Sequence, residues 1–321
     1  MTNALPYKTK QFFFVLIKLS IVIGAFYFIY QKLTNNSDLS FCIFVNFLTK
    51  NNVFSLKNNV FLLFLSIFNW FLEILKWQKL VDSTKKIAFK NATEQSLGSL
   101  TASLFTPNRI GEYGAKAIYY LPQLRKRIML INLLGNLLQM LVTIIFGIIG
   151  LYFFISKYDV NINYYKISRL FILVLMVVIL VGFGIKSKFT IKGFSLEKVK
   201  QFITDFSKTI LSIGFLLSVF RYVTFSFQFY FLLQLFDINI TYFDAMVVIT
   251  SMYLLASIIP SISIFDVIIK GSIAIYLFAF IGVNELTILC IVTIMWLLNF
   301  AMPSMFGSIY VLNFNLPKEN D

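Results

Sequence analysis

The sequence predicts an all-α polytopic membrane protein with about six full spans and two proline-broken re-entrant units in inverted repeats. Three observations predict it. Of the 321 residues, 59% are hydrophobic and only 13% charged, with a mean hydropathy of +0.82, far from the balance of a soluble domain. Long apolar runs recur from end to end, with no polar stretch large enough for a separate domain, so residues 1–321 read as a single integral membrane domain. Two of the runs are interrupted by Pro and then carry an acid and a Lys at helical spacing.

Charge and cysteine usage narrow the chemistry. The net charge is +14, with Lys and Arg concentrated between apolar runs, the pattern of cytoplasmic loops. Nothing resembles a folded basic module, so nucleic acid is not an expected partner. With no His and two distant Cys (Cys42 and Cys290), His triads, His metal sites and Cys–His nucleophile pairs are excluded. No cofactor and no metal are expected.

The first span covers 11–31, and Lys8, Lys10 and Lys18 favour a cytoplasmic N-terminus. Residues 32–57 read as an outer segment, partly interfacial. The second span, 58–77, ends in Trp70, Glu73, Lys76 and Trp77. Glu73 and Lys76 share a helical face, and the Trp pair suits the headgroup level. Lys79, Lys85, Lys86 and Lys90 follow on the cytoplasmic side.

The first broken unit, 96–122, then enters. Pro107 removes a backbone donor, and Arg109, Glu112 and Lys116 follow at spacings of three and four. Arg125, Lys126 and Arg127 close the unit, so both its flanks are basic and it enters and leaves on one side.

The third span, 129–155, presents Asn132, Asn136 and Gln139 on one face, which points into the bundle. The fourth covers 168–186 and is followed by the basic stretch 186–208. The fifth, 209–235, holds Arg221 deep in apolar surroundings, with Gln228 further along. A central Arg costs about 2.5–3.5 kcal/mol on insertion scales, so Arg221 faces either water at a functional site or a structural partner, a carbonyl or an acid. The second broken unit, 252–278, carries Pro260, Asp266 and Lys270 with the same acid-to-Lys spacing as the first. A final span, 286–312, returns the chain to the cytoplasmic side, placing both termini there.

If the two breaks meet at the membrane centre, they assemble a substrate-binding site from Pro107, Arg109, Glu112, Lys116, Pro260, Asp266 and Lys270, with Arg221 nearby. The competing reading is that Glu112–Lys116 and Asp266–Lys270 are i,i+4 pairs that only ease insertion. No nucleophile–base pair, phosphate-binding Gly loop or metal-ligand spacing appears, so no residue is assigned as catalytic.

The stretch Thr106, Pro107, Arg109, Gly111 and Glu112 resembles the Thr-Pro-Gly-Arg-x-Gly-Glu motif of the lysylphosphatidylglycerol synthase transmembrane-region family. That family is the flippase-like part of multiple peptide resistance factor proteins. Asn108 stands where the family usually has Gly. In its second motif, a Pro-Gly-rich break before an acid, this chain offers Pro260 and Asp266 without the glycines. The resemblance implies a plasma-membrane (bacterial inner-membrane) bundle that binds or translocates a phospholipid or lipid-linked headgroup, and it is compatible with a homo-oligomer. The soluble transferase domain of two-domain relatives has no room in 321 residues, so synthase activity is not expected. The alternatives are an intramembrane enzyme acting on a lipid headgroup and a scaffold subunit of an envelope enzyme.

Overall fold

The computed structural model describes residues 55–104, 106, 109–158, 201–258 and 266–317, together with Ile23 and Tyr27; for 266–269 it describes the backbone alone. The helices are α1 (Leu56–Val81), α2 (Phe89–Ser103), α3 (Gly111–Ala117), α4 (Pro122–Lys157), α5 (Lys208–Leu235), α6 (Tyr242–Ile258), α7 (Asp266–Ala279), α8 (Glu285–Trp296) and α9 (Met302–Asn313). A π-helical segment, Leu297–Ala301, joins α8 to α9. There is no strand among the described residues.

Local chemistry sets the helix ends. Ser55 caps α1 by accepting from the Asn58 amide, and Asn284 caps α8 by accepting from the Leu286 amide at 2.8 Å. Pro122 opens α4, where its missing N–H has no intrahelical partner to lose. Gly282 takes φ +73 just past α7, and the Val283 amide reaches back to the Phe278 carbonyl at 3.2 Å, a Schellman closure.

α1, α4, α5 and the α8–π–α9 rod are long and apolar enough to cross a bilayer. On α4, the side chains of Met140, Leu141, Ile145, Ile148 and Ile149 are exposed in a stripe that only lipid or protein would cover. The protein is an all-α polytopic membrane protein. These four rods match the sequence expectations for the second, third, fifth and last spans; the segments 11–31 and 168–186 lie outside the described residues.

Pairing between helices reveals two units, α1–α4 and α5–α9, each a helix, a helix pair (α2–α3 or α6–α7) and a final rod. α1 packs on α5. The Leu62 carbonyl meets Gln228, Glu73 meets Arg221, and Leu80 meets Gly214, so the two helices run antiparallel. α4 packs antiparallel on α6, with Gly147 against Leu254, Gly150 against Thr250, and Lys157 paired with Asp244. Reciprocally, α9 packs antiparallel on α2: the Thr101 hydroxyl donates to the Ser304 carbonyl at 2.6 Å, and Gly307 lies on Leu97. Each unit therefore gives its last helix to the other unit's broken segment. Corresponding helices meeting antiparallel is the signature of inverted units.

Both broken segments are hairpins. The Tyr120 hydroxyl donates to Gln95 Oε1 at 2.8 Å, so the chain leaving α3 stands beside the start of α2. Phe280, just after α7, packs on Phe154 and Tyr158, beside the Lys157–Asp244 pair at the start of α6. Pro107 and Pro260 lie outside the described residues.

Candidate functional site

The tip of the first hairpin is built by Thr106 and Gly111. The Thr106 hydroxyl accepts from the Gly111 amide at 2.9 Å, and a Cβ on Gly111 would stand 2.8 Å from the Thr106 methyl, so only Gly fits this close turn. Arg109 sits within the turn at φ +56, a region that non-glycine residues rarely occupy. α3 then carries Glu112 and Lys116 on one face. Glu112 holds both neighbours, Arg109 at 2.8 Å and Lys116 at 2.7 Å. Lys116 also donates to Asn132 Oδ1 at 2.9 Å and lies 4.1 Å over the Trp77 ring. Glu112 and Lys116 are both buried, so the ion pairing and the Asn132 contact compensate for lost hydration.

A second charged cluster joins the two units. Glu73 on α1 binds Lys76 and, across the interface, Arg221 of α5, each at 2.7 Å. Arg221 lies near the middle of its 28-residue helix, and Gln139 of α4 stands 3.5 Å from its guanidinium. The sequence left Arg221 between water and a partner; the structure supplies the partner, Glu73, while leaving the residue at a cavity wall.

Above this lies an amide network. Asn69 donates to Asn299 Oδ1 at 2.9 Å, Asn299 donates to Gln228 Oε1 at 2.8 Å, and Gln228 donates to Ser66 Oγ and the Leu62 carbonyl. Asn299 belongs to the π-helical segment, a backbone irregularity that frequently marks functional positions.

A cavity of about 230 Å³ sits between these clusters, at the junction of the units. Arg109, Arg221 and Lys270 line it, with Trp70, Phe225, Phe229, Tyr253, Trp296, Phe300 and the amides Asn69 and Asn299. Of the residues expected from sequence, Arg109, Arg221 and Lys270 reach the cavity, while Glu112 and Lys116 stand behind Arg109. Asp266 begins α7, one turn before Lys270. Asn136, expected to face inward, does so by donating to the Tyr113 hydroxyl.

Two expectations change. Trp70 and Trp77 are not anchors at the headgroup level: both are buried, donating to the Asn299 carbonyl at 3.0 Å and to Gln95 Oε1 at 2.8 Å. Asn69, Asn299 and Tyr253 were not foreseen as cavity residues; an isolated Asn inside each of two apolar spans was the available signal.

Residues 14–307 match the family described as the lysylphosphatidylglycerol synthase TM region. The chain belongs to this family. No curated protein and no solved structure matches the chain significantly. The lysylphosphatidylglycerol synthase TM region is a membrane domain, flippase-like in multiple peptide resistance factor proteins, and the matched residues Thr106, Arg109, Gly111 and Glu112 stand at the hairpin tip, with Arg109 at the cavity.

Proposed function

We propose that the chain binds and translocates a phospholipid or lipid-linked headgroup through the cavity between its two inverted units. The observation that carries this reading is the convergence of Arg109, Arg221 and Lys270 from three separate elements onto one aromatic-walled space. Charged side chains this deep in apolar helices are costly to bury, and they mark pathways in membrane proteins. The inverted units supply two equivalent packings by which one cavity can open to either side.

In this reading the two hairpins are re-entrant elements, and Pro107, Pro260 and Asp266 complete the site with freed backbone groups and a further carboxylate. The bilayer is the plasma membrane. The end bearing Lys85, Lys86, Arg125, Lys126 and Arg127 faces the cytoplasm, as do both termini.

The test is fluorescent-lipid translocation in proteoliposomes, comparing wild type with Arg109→Ala and Glu112→Gln after each is shown monodisperse. Translocation by the wild type that is lost in both folded variants is the expected result. Translocation that persists in both removes the first hairpin from the site. No translocation across a panel of headgroups overturns the proposal.

A further inference from the structure

Resting on the headgroup-binding reading of the same cavity, we infer that the site takes a phosphate ester of net negative charge that carries no amine, and rejects an aminoacylated, cationic headgroup. The argument begins with the acceptors. A lysyl headgroup presents ammonium groups, which need carboxylates once water is removed. Beside the cavity, Glu73 is already shared by Lys76 and Arg221, and Glu112 by Arg109 and Lys116. Each carboxylate is thus outnumbered by the cations around it, so neither presents net negative charge to a ligand ammonium.

Among the described residues, the remaining acid beside the cavity elements is Asp266 at the start of α7, and the segments of the two breaks outside the described residues (Phe105, Pro107–Asn108 and 259–265) contain no Asp or Glu. Counting Asp266 as ionised, five cations (Lys76, Arg109, Lys116, Arg221 and Lys270) stand against three carboxylates. Among the described residues the site is therefore electropositive.

The donors tell the same story independently. Arg109 Nε, Arg221 Nε and the Tyr253 hydroxyl are buried without hydrogen-bond partners, and all three residues line the cavity. Guanidinium groups suit phosphate oxygens, which accept several charge-assisted hydrogen bonds at once. The cavity's size, about 230 Å³, is below that of ordinary drug-sized pockets, so it admits a compact headgroup and leaves acyl chains outside.

The experiment measures binding to the detergent-solubilised full chain by quenching of Trp fluorescence, since Trp70 and Trp296 form part of the wall. Short-chain phosphatidylglycerol, phosphatidic acid, lysyl-phosphatidylglycerol and soluble glycerol 3-phosphate are titrated in parallel. The expected result is that the anionic lipids bind at least about tenfold more tightly than the lysyl lipid, because like-charge juxtaposition carries a penalty of that order or more. In Lys270→Glu, that preference should shrink or reverse. Glycerol 3-phosphate binding alone would keep the anionic phosphate-ester assignment and overturn the lipid reading. Lysyl-lipid binding equal to or tighter than the anionic lipids would overturn the inference and leave the lipid reading standing. Binding of none of the four would overturn both.

Discussion

The two units share a topology and differ in what they bury. The first, α1 to α4, contains both described carboxylates of the site, with Lys76, Arg109 and Lys116 arranged around them, and its last helix is an unbroken rod of 36 residues. The second, α5 to α9, contributes Arg221 and Lys270 to the cavity, and Arg221 takes its carboxylate from the first unit. Its own polar filling is amide, Gln228 with Asn299, and its last rod is interrupted by the π-helical segment. An inverted pair need not be chemically even. Here one unit holds the two carboxylates among three cations, and the other adds two cavity cations and an amide network beside a backbone irregularity.

The harshest test of that likeness is at the reciprocal crossings. A Cβ on Gly307 would overlap the Leu97 carbonyl oxygen and the Thr101 hydroxyl, and one on Gly150 would overlap the Thr250 hydroxyl. Gly307→Val and Gly150→Val are each expected to cost more than about 4–5 kcal/mol, read as loss of monodisperse protein on size-exclusion chromatography. Gly114→Ala, at a position with open space, should be tolerated or gain about 0.4–1 kcal/mol. If one crossing tolerates Val and the other does not, the two contacts are not equivalent.

A smaller effect separates charge from amide. Glu73→Gln leaves Lys76 and Arg221 without their carboxylate, and thermal unfolding in detergent should show a loss of about 3–5 kcal/mol. Glu73→Gln combined with Arg221→Gln should cost less than the sum of the single changes, since one buried charge is removed with its partner.

Asn299→Leu removes a partner from Asn69 and from Gln228, and the same unfolding measurement should register only about 1–2 kcal/mol. Equal losses at Glu73 and Asn299 would erase the distinction between the units.

How far these features could be read in advance depended on distance along the chain. Glu112–Lys116 and Glu73–Lys76 are four and three residues apart, and helical spacing alone placed each pair on one face. The inward face of Asn132, Asn136 and Gln139 followed from the same periodicity, and the structure gives each amide an internal partner. Arg221 finds Glu73 across 148 positions, a pairing set by which helices pack and so invisible to local pattern. Trp70 and Trp77 misled because an aromatic beside a Lys near a span end fits both a wet interface and a buried donor. The π-helical turn at Asn299 left no sequence signature beyond a polar residue in an apolar run.

The bond from Thr101 to Ser304 joins residues 203 positions apart. It has a consequence in time. At a synthesis rate of roughly 5–20 residues per second, α2 waits ~10–40 s before α9 has been made. Throughout that interval a helix with Gln95, Ser96, Ser99 and Thr101, buried in the finished fold, lacks its final neighbour. The contact between the first hairpin and the last helix can therefore form only at the end of synthesis.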